Sequence, residues 1–283
     1  MMIEQDLLDM ENIDIEIQLL LEAIYLKYGH DFRAYSRAHI KRRVLRRQAI
    51  SKIDSLSKMI YKVIYDKEFF DILLTDFSIN VTEMFRDPHF YKAFRNEVIP
   101  VLSTYPFFNV WHAGCSSGEE VYSMAILLKE AGLYDRAQIY ATDFNQSVLQ
   151  KAKEGIYSID LMKEYTYNYQ QSGGTASFAD YYVAKYDFAI MDQSLKKKII
   201  FADHNLVTDG VFGEMNVIIC RNVLIYFDNE LQNRVINLFH DSLCNGGILC
   251  LGSKESLKNA DCVKNLEPVV GKEKIYRKKF GWN

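Results

Sequence analysis

The sequence predicts an α/β protein: a Rossmann-like, largely parallel sheet with a small antiparallel insertion, preceded by an all-helical N-terminal domain. Three observations carry this. Apolar residues up to about 102 recur with a helical period. From Phe107 the rhythm becomes an alternation of short strands and helices, which implies parallel strands joined by right-handed crossovers. Between about 157 and 202 that alternation breaks into short tyrosine-rich runs, read as an antiparallel excursion.

In the helical part, 1–102, Leu19, Leu20, Ala23, Ile24 and Leu26 form one stripe. Met59, Ile60, Val63 and Ile64 continue it, followed by Phe69, Phe70, Ile72, Leu73 and Leu74. In 103–283 the expected order is strand Val110–Ala113, helix Ser117–Lys129, strand Ile139–Thr142 and helix Ser147–Lys153. After the insertion come strand Val217–Cys220, helix Glu230–Leu243 and strand Ile248–Leu251, the last entered through Gly246-Gly247. Inside the insertion, 157–202, Tyr181–Val183, Tyr186–Ile190 and Lys198–Phe201 are the expected strands and Ser172-Gly173-Gly174 a loop.

With 283 residues, 49% of them hydrophobic, the chain can bury a full core. Its five cysteines are odd in number and form no C-x-x-C pair, so neither a disulfide framework nor a zinc site is indicated, and no H-x-x-x-H helix suggests another metal. The acidic start carries no export signal, and no apolar run reaches the roughly 18 residues of a membrane span, so a cytoplasmic protein is expected. The net charge of −3 hides a basic island: Arg33, Arg37, Lys41, Arg42, Arg43, Arg46 and Arg47 stand against Asp31 alone. Their i, i+4 spacing spreads cations over one helix without interleaved acids, which points to an acidic partner. The acidic remainder of the chain argues against nucleic acid.

The chemistry concentrates in Val110-Trp111-His112-Ala113-Gly114-Cys115-Ser116-Ser117-Gly118-Glu119-Glu120, a strand, a small-residue turn and a helix start. Gly114 and Gly118 let backbone approach a ligand and leave amides exposed at a helix N-terminus. They lack the three-glycine pyrophosphate fingerprint, and the acidic pair would repel a diphosphate, so S-adenosylmethionine suits the turn better than NAD. Asp143 ends the next strand, near the spacing at which such folds set a carboxylate on ribose hydroxyls; the alternative is that it caps the helix beginning near Ser147. Cys220 lies in an apolar strand and reads as a packed thiol rather than a nucleophile.

Five ordered motifs then carry a family resemblance. Asn80-Val81-Thr82-Glu83-Met84-Phe85-Arg86-Asp87, Ser117-Gly118-Glu119-Glu120, Ala141-Thr142-Asp143, Asn205-Leu206 and Cys220-Arg221-Asn222-Val223-Leu224-Ile225-Tyr226-Phe227 resemble the CheR-type chemotaxis receptor methyltransferases over nearly the whole chain. The resemblance implies methyl transfer from S-adenosylmethionine to glutamate side chains on the cytoplasmic helices of chemoreceptors, with S-adenosylhomocysteine as product. It implies cofactor contacts at Asn80, Thr82, Arg86, Glu120, Asp143, Asn205, Leu206, Arg221 and Asn222, with Glu119 an alternative to Glu120. A methyltransferase of another acceptor and a non-catalytic cofactor-binding module are the competing readings.

On that reading Arg86 and Tyr226 are the candidates for holding the reacting groups, since Arg86 can fork onto a carboxylate and Tyr226 can donate one hydrogen bond. Arg42, Arg43, Arg46 and Arg47 are the expected docking face for the acidic receptor helices. In some relatives the small sheet captures a receptor's C-terminal peptide by strand addition. The Gly-x-Gly hairpin often found there is not evident before Tyr186, so such a tether is not expected to be required.

Overall fold

Helices α1 (Met2–Tyr28), α2 (Arg37–Ile50), α3 (Leu56–Tyr65) and α4 (Lys67–Phe77) come first, and the last two begin where a side chain replaces a missing backbone partner. Ser55 accepts the Lys58 N–H and starts α3; Asp66 accepts the Phe69 N–H at 3.0 Å and starts α4. Leu56, Met59 and Val63 of α3 and Phe69, Phe70, Leu73 and Phe77 of α4 are buried. Tyr28 stacks on Phe70 with ring centroids 3.7 Å apart and donates its hydroxyl to the Val63 carbonyl at 2.8 Å. The computed structural model describes residues 2–78, 82–258 and 260–280, with side chains from residue 11 onward.

The chain divides into two units, Met1–Ile79 with Tyr226–Leu231, and Asn80–Ile225 with Gln232–Asn283. The distant segment joins the helical unit through backbone: Ser36 N–H donates to the Tyr226 carbonyl at 2.8 Å and Asp228 N–H to the Ala34 carbonyl at 3.0 Å. By contacts the second unit begins at residue 80, whereas the expected domain boundary falls after 102. Helices α5 (Pro88–Ala93) and α6 (Ile99–Leu102) look like a continuation of the helical domain in sequence. Their apolar residues Phe90, Tyr91 and Leu102, with Met84, Phe85, Phe94 and Val98, are instead buried in the core that covers the sheet.

The second unit is built on β1 (Phe108–Ala113), α7 (Glu119–Glu130), β2 (Ala137–Asp143) and α8 (Gln146–Glu154). The insertion follows with β3 (Ile156–Ser158), α9 (Met162–Gln171), β4 (Tyr182–Lys185) and β5 (Phe188–Met191). Then come β6 (Ile199–Asp203), β7 (Met215–Cys220), α10 (Asn229–Ser242), β8 (Leu243–Leu251), β9 (Leu266–Val270) and β10 (Ile275–Lys278). The main sheet has the order β6-β2-β1-β7-β8-β10-β9, parallel through β8 and antiparallel at β10 and β9. Because β2 lies on one side of β1 and β7 on the other, the order reverses at β1, where such sheets open a ligand crevice.

The insertion is a three-stranded antiparallel sheet, β3-β5-β4. Lys198–Phe201, expected within it, belongs to the main sheet: β6 pairs in parallel with β2 over Ile139↔Ile199 to Asp143↔Asp203. A run of apolar residues carries no label of its partner, and Ile156–Ser158 fills the vacated place. Glu130 fastens the insertion to α7, taking Arg95 at 2.6 Å and the hydroxyls of Tyr169 and Tyr181.

Candidate active site

The turn after β1 is pinned to the end of β2. Gly114 and Cys115 N–H groups both donate to the Thr142 carbonyl, at 2.9 and 2.8 Å. Gly114 has φ +77°, and a Cβ there would stand 2.7 Å from a Val223 methyl, so both the backbone and the neighbour demand glycine. Ser116 N–H donates to Asp143 Oδ2 and Asn145 N–H to Oδ1, each at 3.0 Å. Burial pushes the Asp143 carboxyl up and these amides hold it down. The helix-capping role belongs to Asn145, whose Oδ1 accepts the Ser147 N–H at 3.0 Å.

The two acids at the start of α7 have different environments. Glu120 accepts Arg221 at 2.7 Å and lies 3.4 Å from His112 Nδ1; burial would raise its pKa, but Arg221 and His112 outweigh that and keep it below the usual range. Glu119 is 5% exposed; burial pushes it up to about 7, against the Ser117 hydroxyl that it accepts at 2.8 Å, its own backbone N–H and the charge of Lys151. Glu120 is thus the acid that stays charged near neutrality.

Arg221 is the hub of a buried ion cluster rather than an outstretched ligand. Its guanidinium binds Glu120, Asp87 at 2.6 Å and the Arg86 carbonyl at 3.3 Å, and lies 4.2 Å from the centroid of the Phe90 ring. One carboxylate oxygen of Asp87, the neighbour of Arg86, is thereby taken by Arg221. Phe85 and Asp87 have φ of +54° and +57°, so Arg86 is flanked by two residues in the left-handed region. Non-glycine residues rarely adopt it, and such strain concentrates at functional sites. Phe85 is secured there by its N–H to Ser123 Oγ at 2.9 Å.

Asn205 and Leu206 follow β6 next to β2, where His204 N–H meets the Asp143 carbonyl at 3.4 Å. Asn205 Oδ1 accepts the Val207 N–H at 3.0 Å, a turn that leaves Leu206 buried. Asn222 follows β7 with φ +61°. Thr82 is partly buried; Asn80 lies outside the described residues. Strand ends β6, β2, β1 and β7 thus line up Asn205, Asp143, the Gly114–Glu120 turn and Arg221-Asn222 along one edge of the sheet. Cys220 is fully buried, and burial pushes its thiol well above the usual range, which suits a packed core residue.

Tyr226 and the four arginines fall in the helical unit. The Tyr226 ring meets His39 of α2 edge-on at 5.5 Å. Arg42 and Arg46 are exposed, Arg42 within 3.3 Å of His39 Nδ1. Arg43 donates to the Asp76 carbonyl at 2.6 Å, and Arg47 grips both Asp76 carboxylate oxygens, so two of the four expected docking cations are committed to α4. Lys41 pairs with Asp14, and Arg33 with Asp31 and Glu22. Acids of neighbouring elements thus engage Lys41 and Arg47 of α2, while Arg42 and Arg46 stay exposed. Sequence reasoning also missed His112 and Glu255, the first inside an apolar strand and the second in a polar loop, where neither spacing nor composition marks them.

Two family descriptions match the chain: "CheR methyltransferase, SAM binding domain" over residues 80–270 and "CheR methyltransferase, all-alpha domain" over 15–78. The chain belongs to the CheR methyltransferase family. Among curated relatives, the putative methyltransferase Cher3 of Pseudomonas putida is 54% identical over 269 residues, covering 94% of this chain and 98% of that protein. The chemotaxis protein methyltransferase of Listeria monocytogenes is 31% identical, covering 82% of this chain and 86% of its own. That of Borreliella burgdorferi is 32% identical, covering 70% and 71%. Among solved structures, the N-methyltransferase NodS of Bradyrhizobium japonicum with S-adenosyl-L-homocysteine overlaps at a TM-score of 0.38 and 13% identity, covering 69% of this chain and 88% of that one.

This CheR-family protein is therefore an S-adenosylmethionine-dependent methyltransferase of chemotaxis. The donor set fits the cofactor. Asp143 is an acceptor-only carboxylate suited to hydroxyls, Glu120 stays ionised, and the acids at the α7 N-terminus disfavour a diphosphate. No helix among the described residues is long and apolar enough to cross a membrane.

Proposed function

We propose that this enzyme methylates glutamate side chains on the cytoplasmic helices of chemoreceptors, working in the cytoplasm and giving methyl esters in chemotaxis adaptation. The observation that carries the proposal is the conformation around Arg86, whose flanking residues are both left-handed and whose carbonyl is tied to Arg221 beside Glu120. An arginine held this way offers a fork to an incoming carboxylate. S-adenosylmethionine supplies the methyl group. Asp143, Glu120, Asn205, Leu206 and Asn222, with Thr82 and Asn80, hold the cofactor, and Arg221 serves it by fixing Glu120; Arg86 and Tyr226 align the acceptor.

A glutamate with a reference pKa of about 4.3 is already ionised at neutral pH, so its oxygen needs no strong general base. The residues around it have to orient it in line with the methyl and strip its water, since the displacement neutralises opposite charges. Arg42 and Arg46 are the exposed cations that draw the acidic receptor helices. The turn between β4 and β5 is Tyr186-Asp187 rather than a glycine pair, with Tyr186 at φ +53° and 89% exposed, which supports direct docking without a receptor-tail tether.

Incubation with methyl-labelled cofactor and purified receptor cytoplasmic fragments tests the proposal. Base-labile methyl esters on glutamate are expected. Base-stable label, or cofactor binding without any transfer, would replace it with a different acceptor or a binding module.

A further inference from the structure

We infer that Glu255 is a positioning residue for this methyltransferase, a buried carboxylate that holds the turn after β7 in the conformation presenting Asn222 to the cofactor. The inference rests on the cofactor-site reading above. Val223 and Leu224 N–H groups donate to Glu255 Oε1, at 2.9 and 2.8 Å, and Gly252 N–H donates to Oε2. One side chain therefore joins the exit of β8 to the exit of β7.

Glu255 is 4% exposed. Burial pushes its carboxyl up, and what holds it down is a set of backbone amides, those of Gly252, Asn222, Leu224 and Val223, rather than a counter-ion. Burying a carboxylate costs free energy that packing alone does not return, so the group is explained by what it organises. What it organises is a strained turn. Asn222 sits at φ +61°, and a Cβ on Gly252 would stand 2.8 Å from the Asn222 nitrogen and 2.9 Å from Glu255 Oε2. Only glycine at 252 lets the two strand exits approach this closely.

The turn has a second reach. The Val223 side chain is the one that would meet a Cβ at Gly114, so the carboxylate that fixes Val223 also bears on the turn carrying Ser116 and leading to Glu119 and Glu120. An ionised carboxylate is acceptor-only on both oxygens, which matches three convergent donors. A carboxamide of the same shape would turn an NH2 group against one of those N–H groups.

The test measures S-adenosylhomocysteine binding by calorimetry, reading dissociation constant and stoichiometry separately, alongside thermal melts, for Glu255→Gln, Glu255→Asp and Asp143→Asn. A positioning role predicts that Glu255→Gln weakens the dissociation constant about tenfold at full stoichiometry, and that Glu255→Asp, still acceptor-only, recovers part of the loss. A lowered melting temperature and stoichiometry with an unchanged dissociation constant would leave Glu255 a purely structural residue and overturn the inference. If Glu255→Gln does not fold, the same separation is read on Glu255→Asp. If Asp143→Asn weakens binding while both Glu255 variants do not, this inference fails alone; if none of the three does, the cofactor-site reading fails with it.

Discussion

Asp143, which we propose as the ribose ligand, also has an architectural role. Its oxygens hold the amides of Ser116 and Asn145, so replacing it loosens the turn as well as removing the proposed ribose partner. Asp143→Asn is expected to weaken S-adenosylmethionine by roughly 1.5–3 kcal/mol, about 10- to 100-fold, and calorimetry on the folded variant measures it. An unchanged affinity would take Asp143 out of the site. Glu119 makes a pH prediction. Its pKa rises from 4.5 to about 7 on burial, so between those values the folded protein keeps a proton that the unfolded chain has released. The stability this contributes is complete below about pH 4.5 and is lost as pH climbs to 7 and beyond. Glu119→Gln stays neutral throughout, so relative to wild type it should gain up to about 3 kcal/mol at pH 8 and little at pH 5. Melting curves at the two pH values check this, and equal gains at both would assign the effect to packing.

At the scale of the element, α2 separates into two pairs of arginines. Arg43 and Arg47 face Asp76 of α4, whereas Arg42 and Arg46 are exposed. Arg47→Ala should cost about 1–2 kcal/mol, because it leaves Asp76 without its bidentate partner at a half-buried site. The double variant Arg42→Ala with Arg46→Ala should change stability by less than about 0.5 kcal/mol yet raise the KM for a receptor fragment and flatten its salt dependence. Denaturant melts and initial rates at two ionic strengths separate the two pairs. The i, i+4 spacing made the helix and its cations legible in the sequence. It did not say which cations were already engaged, because Asp14 and Asp76 reach them from other helices.

For the molecule as a whole, the prediction concerns recruitment. With Tyr186 rather than glycine in the β4–β5 turn, the isolated C-terminal peptide of the receptor is expected not to bind, while methylation of the receptor fragment persists without its tail. Micromolar binding of that peptide, mapped to Tyr182–Met191, would show that the small sheet recruits receptors after all. The same sheet illustrates what periodicity conceals. Two of its expected strands are there with shifted ends, but Lys198–Phe201 crosses into the main sheet and Ile156–Ser158 takes its place.

What the sequence by itself determined is local: helical stripes, the strand and turn leading to Glu119-Glu120, an acid closing the next strand, and the ordered motifs of a methyltransferase. These are legible because periodicity, glycine placement and motif spacing act between near neighbours in the chain. Tertiary structure alone decided how the charges pair and which strands meet. The Arg221 cluster joins residues 87, 120 and 221, and the Glu255 clamp joins 223, 224 and 252. Buried charges must find partners wherever the fold brings them, and no local pattern in the sequence records that distance.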